Sequence, residues 1–187
     1  MKDFLKALHI LSDEEIRDMD GLGYKKTIAK NDFLIQEDAV CTEIVFVQSG
    51  ILRSFYISDE GEEMTNCITF ENEFMSAYSS FITQTPTQEN IQALTETHLW
   101  VINRTELLQL YKKSMGWQEI GRMLAEMQYI QLEQRLLSFQ KQNAKQRYQA
   151  LLLNHPNYIQ YIPLNHLASF LGITTRHLSR LRKEISL

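Results

Sequence analysis

The sequence predicts an α+β chain: a small antiparallel barrel or jelly roll, then one long helix, then a C-terminal helix-turn-helix. Three observations carry that order. Short β-rich runs recur about every ten residues from Tyr24 onward. Helical periodicity holds for about 25 residues from Trp117. The stretch "LNHLASFLGITTRHLSRLRKEI", residues 164–185, has apolar positions that break at Gly172 and resume after it.

Size and composition bound what the chain can be. Its 187 residues, 44% hydrophobic, suit one large domain or two small ones with real cores. No run approaches the ~20 apolar residues that span a bilayer, and "MKDFLKALHILSDEE" is too charged for a secretory signal. The expectation is a cytoplasmic protein with no membrane partner. Cys41 and Cys67 fit neither a metal-ligand spacing nor a disulfide framework and read as ordinary thiols. The net charge of −4 hides an asymmetry. Residues 1–139 carry 12 Lys and Arg against 22 Asp and Glu, whereas residues 140–187 carry 7 against Glu184 alone. A balance of −10 followed by +6 suggests that only the C-terminal end meets a polyanion.

Along the chain, Ser12 and Glu15 form a capping-box pattern, with Asp13 and Glu14 in the first turn of a short helix. "YKKTIAK", "DFLIQE", "EIVFVQSG", "ILRSFYIS" and "MTNCITF" read as strands separated by Asn31-Asp32, Ser49-Gly50 and Asp59-Glu60-Gly61. In the fourth run Ile51, Arg53, Phe55 and Ile57 alternate with Leu52, Ser54 and Tyr56, imperfectly in polarity. "ENEFMSAYSSFITQTPTQE" has little strand character. "NIQALTET" and "HLWVIN" resume the strands, and Asn103 to Tyr111 reads as a short helix. In the long helix, Ile120, Leu124 and Met127 make one stripe, and Met123, Met127 and Ile130 a neighbouring one. A helix that outruns the barrel beside it while keeping an apolar stripe suggests a dimer seam. Ile120, Met123, Leu124, Met127 and Ile130 are its candidate residues. "QRYQALLLNH" is a further helix, ended by Pro156.

In residues 164–185, Leu164, Leu167, Ala168 and Leu171 form the inner face of a first helix, and Gly172 supplies a left-handed turn. Ile173 plugs the turn and Thr174 is placed to cap the second helix. There Leu178, Leu181 and Ile185 face inward, with Arg176 and Arg180 opposite. This layout reads double-stranded DNA. Arg176 and Arg180 suit guanine edges, Thr174, Thr175 and Ser179 suit phosphates or base edges, and Lys183 suits a phosphate.

In this order the chain resembles the Crp/Fnr superfamily of bacterial transcription regulators. "EIVFVQSGILRSFYI" looks like the family's glycine-turned strand pair and "LASFLGITTRHLSRLRKEI" like its helix-turn-helix. "RYQALLLNHP…IPLNHLASFLGIT" is similar to the small Bacteroidetes-type members. The resemblance implies a cyclic-nucleotide-binding-like β-roll sensor over 1–113, a long dimerisation helix over 114–143 and a DNA-binding domain over 144–187. It also implies a homodimer that binds two-fold symmetric DNA and works with the transcription machinery. The family often adds a β-wing after the recognition helix; with the sequence ending at Leu187, the expectation is a domain without it.

Cyclic-AMP-binding relatives hold the cyclic phosphate with a Gly-Glu pair on a short helix and an Arg-Ser/Thr pair before the next strand. The matching region here offers Glu73 preceded by Asn72, and Thr87 and Gln88 in place of the Arg pair. A buried phosphate without a cation is poorly compensated, so cyclic AMP is not expected as effector and no other cofactor is indicated. Glu73, Phe74, Tyr78, Thr87 and Gln88 are the candidate pocket residues, the aromatic ones reading more readily as core. Two isolated cysteines do not make an iron–sulfur site. His98 alone in the β-rich region supports neither haem nor a cupin-like metal enzyme, so no metal and no catalytic residue are expected. The alternatives are an adaptor whose helix-turn-helix binds protein, or a true cyclic-nucleotide-responsive regulator.

Overall fold

The computed structural model describes residues 1–185; Ser186 and Leu187, the end of the expected 144–187 domain, lie outside the described residues. Two short helices, α1 (Lys2–Ala7) and α2 (Asp13–Arg17), precede β1 (Tyr24–Ile28), β2 (Phe33–Ile35), β3 (Glu43–Ser49), β4 (Leu52–Ile57), β5 (Glu63–Thr69) and β6 (Phe74–Met75). Then come α3 (Tyr78–Thr83), β7 (Asn90–Ala93), β8 (Thr97–Asn103), α4 (Arg104–Lys113) and the long helix α5 (Met115–Lys141). The chain continues through α6 (Ala144–Asn154), α7 (Pro156–Tyr161), α8 (Leu164–Phe170) and α9 (Thr175–Ile185). Among the described residues no helix is long and apolar enough to cross a membrane.

The strands form two four-stranded sheets, ordered β1-β8-β3-β6 and β2-β7-β4-β5. Antiparallel register places Val45 opposite both Val101 and Met75. Val45, Val47, Leu99 and Val101 are completely buried, as β-branched and apolar residues on an inward-facing pleat should be. The imperfect alternation of β4 has a structural cause: Leu52, Arg53, Ser54 and Phe55 are all buried, so both faces of this strand are covered.

The chain divides into two compact units, one of Met1–Ser54 with Ile68–Met127, the other of Phe55–Cys67 with the chain from Gln128 onward. The β4–β5 hairpin thus groups with the C-terminal helices, where the sequence puts all of 1–113 in one domain. In the first unit Leu5, Leu11, Ile16, Met19, Ile102, Leu110, Trp117 and Ile120 form one apolar cluster. The Ser12–Glu15 capping box is present as expected, and hydrogen bonds from Ser114 and Ser12 hold the Glu15 carboxyl below its ordinary range. In the second unit Tyr148, Leu151, Ile162, Leu167, Ala168, Leu171, Leu178 and Leu181 are buried.

Two elements stand where the sequence shows little strand character. Strand β6 is two residues long, and α3 has an N-cap, Ala77, without a side-chain hydrogen bond and a C-cap, Gln84, at φ +57°. Tertiary pairing with β3 makes β6, and no local signal announces either element. Pro156, read as a helix end, also begins α7, where its missing N–H costs nothing.

Candidate nucleic-acid interface and ligand pocket

The turn between α8 and α9 is built by hydrogen bonds that only a left-handed residue permits. Gly172, at φ +66°, donates to Ser169 O at 2.9 Å, and Ile173 donates to Ala168 O at 3.0 Å. These two bonds make a Schellman motif, which stops α8 and reverses the chain. Thr174 then caps α9: its hydroxyl accepts from the His177 N–H at 3.2 Å. Leu178 and Leu181 are buried, while Thr174, Thr175, Arg176, Arg180 and Lys183 are exposed and Ser179 is half-buried. The acceptor side of Thr174 is therefore spent on its own helix, and the row left to meet a ligand runs from Thr175 to Lys183. Arg180 Nε lies 3.8 Å from Glu184 Oε1 in an exposed pair, too weak to hold the guanidinium back.

The five candidate seam residues on α5 separate into two groups. Ile120 is buried in the apolar cluster of the first unit, with Met123 and Leu124 partly buried against it. These residues already have partners within the chain, so Ile120 is a core residue here, contrary to the seam reading. Met127 and Ile130 are about half exposed, at 47% and 49%. Beyond them lies a second exposed row: Tyr129 at 66%, Leu132 at 57% and Leu136 at 58%. Its 3-4 spacing was available in the sequence but lay outside the stripe that began at Ile120.

The five pocket candidates do not converge on one cavity. Glu73 is exposed in the turn before β6, where its Oε2 accepts the Phe70 N–H at 2.8 Å. It follows Asn72, at φ +68°, so it is a turn residue and not the acid of a short helix. Phe74 packs 5.0 Å from the Phe46 ring and 5.5 Å from Phe4, in an aromatic cluster. Tyr78 stacks on Phe81 at 6.2 Å. Gln88 is exposed. Thr87 is buried, but its hydroxyl accepts from Glu89 N at 3.1 Å. One cavity of about 250 Å³ has Ile35, Cys41, Ser76, Ala77 and Ile91 in its wall, and another of about 350 Å³ is lined by Thr42, Gln84, Asn103 and Arg104; none of the five candidates lines either. Both cysteines are thiols, and among the described residues no group of His, Cys, Asp and Glu could hold a metal.

One residue the sequence reading missed is Glu89, next to Gln88. The buried Ser54 hydroxyl donates to its carboxylate, and burial pushes that carboxyl above its ordinary range, partly offset by the Ser54 hydrogen bond. A carboxyl whose folded pKa is raised favours the fold while protonated, and that stability is lost as pH rises through the folded pKa. Glu89→Gln keeps a hydrogen-bonding partner for Ser54 and removes the charge. It is expected to raise the melting temperature at pH 7 relative to the parent, with the difference vanishing near pH 4. Thermal unfolding from pH 4 to pH 8 measures this, and a variant less stable at pH 7 would show that the charge is compensated.

Residues 25–114 match the family profile "Cyclic nucleotide-binding domain". No curated protein sequence is significantly similar to the chain. Among solved structures, FixK2 from Bradyrhizobium japonicum superposes with TM-score 0.78 at 14% identity, over 88% of this chain and 85% of that one. A putative crp/fnr-family transcriptional regulator from Eubacterium rectale gives TM-score 0.74 at 18% identity, over 98% and 88%. The c-di-GMP responsive global regulator CLP from Xanthomonas campestris gives 0.72 at 15%, over 94% and 92%. At these identities the likeness establishes fold. Residues 25–114 thus match the cyclic nucleotide-binding domain profile, and the chain shares the fold of FixK2, the Eubacterium rectale protein and CLP.

Proposed function

We propose that this protein is a sequence-specific DNA-binding transcription regulator that acts as a homodimer in the cytoplasm, not an enzyme. The observation that carries the reading is α9: Thr175, Arg176, Arg180 and Lys183 lie exposed on a helix whose other side buries Leu178 and Leu181. A helix presented this way, behind a tight capped turn, offers donors of the length that reaches guanine edges in the major groove. The exposed apolar residues on α5 support pairing with a second copy, since a solvated helix has no use for them.

Selection from random ~30-base-pair duplexes tests the reading, with an inverted repeat of half-sites about ten base pairs apart expected. Retention without sequence preference, lost steeply with salt, would reduce the basic face to phosphate binding. No retention even at low salt would favour a protein partner. On the selected duplex, Arg180→Ala is expected to cost about 1–3 kcal/mol and relax one base position, whereas Lys183→Ala weakens all sequences alike. Equal losses for both variants on selected and random DNA would overturn these roles.

We further infer that the β-roll does not hold cyclic AMP in the usual way. Thr87 and Gln88 stand where the guanidinium and its neighbour are expected, and the next residue, Glu89, is a half-buried acid that would repel a phosphate. Cyclic AMP at millimolar concentration is expected to leave the melting temperature unchanged. A concentration-dependent rise would restore the cyclic-nucleotide-responsive reading.

A further inference from the structure

The last turn of α8 leaves four carbonyls for outside donors. The Schellman bonds satisfy Ala168 O and Ser169 O. The other two are satisfied from outside the motif. Arg135 Nη2 donates to Phe170 O at 3.1 Å, and Arg147 donates to Leu171 O through Nε at 3.1 Å and Nη2 at 2.9 Å. The rings lock the same guanidinium groups in place. Arg135 Cζ lies 4.1 Å from the Phe170 centroid and 5.0 Å from that of Phe139, and Arg147 Cζ lies 4.7 Å from Phe139. Tyr158 packs against Phe170 with ring centroids 5.3 Å apart. Among the described residues no carboxylate pairs with either arginine. Arg135 is half-buried, and burial pushes its guanidinium below its ordinary value. The Phe170 carbonyl and the two rings around Arg135 offset part of that desolvation, which gives the cation a structural task.

Arg135 has a second acceptor. Its Nη2 also donates to Thr65 O at 3.2 Å. Beside it the Ser169 hydroxyl, on α8, accepts from Thr65 N at 2.8 Å and donates to Glu63 O at 2.7 Å. β5 is the last strand of its sheet, so Thr65 N–H, Thr65 C=O and Glu63 C=O project from an edge that no strand pairs among the described residues. Two side chains of the second unit take the place of the missing strand.

We propose that Arg135 is a positioning residue for DNA reading: one guanidinium closes the end of α8 and, with Ser169, grips the edge of β5, so that hairpin 55–67 is part of the reading head. This rests on the DNA-reading function proposed above. The turn that aims α9 then depends on a residue some 40 positions before the recognition helix, and on the edge of a strand. Lysine does not replace it, because a point charge cannot stack between two rings while serving two carbonyls.

The test uses the full chain with Arg135→Gln, Arg135→Lys and the milder Ser169→Ala. Both Arg135 variants should bind the selected duplex about tenfold more weakly, while random DNA and the salt slope stay as in the parent. Unchanged affinity for the selected duplex would overturn the proposal. A salt slope reduced by about one would also overturn it, by making Arg135 a phosphate contact. Amide exchange reads the clasp without DNA: the Thr65 N–H should exchange at least about tenfold faster in Ser169→Ala and in Arg135→Lys. Parental exchange at Thr65 in both would remove the clasp. If the parent itself selects no sequence, DNA reading fails, and the exchange result still decides the clasp.

Discussion

Replacing both Leu132 and Leu136 by glutamate is expected to leave a folded monomer that no longer holds a two-fold DNA site. Both leucines are more than half exposed, so the substitution removes little packing within the chain and should change its own stability by less than about 0.5 kcal/mol. In a pair of α5 helices the same positions would be covered, each leucine contributing roughly 1.5–3 kcal/mol. A two-fold seam doubles every change, so four glutamates would enter it facing their own images. Losing the second recognition helix should lower affinity for an inverted repeat by about 10²–10⁴, because the second half-site becomes a separate binding event. Light scattering with size-exclusion chromatography reads the mass, and titration of one-half-site and two-half-site duplexes reads the coupling. A dimer that survives this change but falls to Met127→Glu with Ile130→Glu would move the seam to the other exposed row. A dimer that survives both would remove α5 as the seam. Ile120→Glu is not a seam test: it places a charge in the cluster of Trp117 and Leu110 and should unfold the first unit.

That contrast shows what periodicity can and cannot say. The 3.6-residue repeat through Ile120, Leu124 and Met127 marks a face that avoids water, but not what covers it. Chain packing covers the start of α5, and its later turns carry apolar residues on more than one side. The strands were legible because β-branched runs lay between turn formers, and the capping box at Ser12–Glu15 is written in residues three apart. The helix-turn-helix was legible for the same reason: Gly172, Thr174 and the buried leucines act over a few positions. Pocket residues were not. Placing Glu73 in the turn before β6, and not on a helix, required the register of β6, which depends on β3 some thirty residues earlier. The charge count failed in a more instructive way. Arg147 belongs to the basic C-terminal quarter, yet it is spent on Leu171 O and the Phe139 ring. A sequence shows a cation's position and not its acceptor.

The second large effect is expected at Gly172, where Gly172→Ala should cripple DNA reading more than any loss of a single contact. At φ +66° an alanine costs about 1–3 kcal/mol in backbone strain alone. Its Cβ would also stand 2.6 Å from Phe139 Cε1, well inside van der Waals contact. A ring at the free end of a side chain can often retreat, but Phe139 lies between Arg135 and Arg147, whose guanidinium groups are fixed on Phe170 O and Leu171 O. Moving the ring loosens the cap of α8, and leaving it in place forces the turn open; either route tilts α9. Gly21→Ala separates the two costs, since Gly21 has φ +87° and nothing within 4 Å of an added Cβ. Thermal unfolding should therefore show a larger loss for Gly172→Ala than for Gly21→Ala, the excess being the clash. Adding Phe139→Ala should recover that excess, so the double variant is expected to be more stable than the sum of the single losses predicts. Strict additivity would mean that the ring does not confine the glycine, and that the left-handed backbone alone makes position 172 intolerant of a side chain.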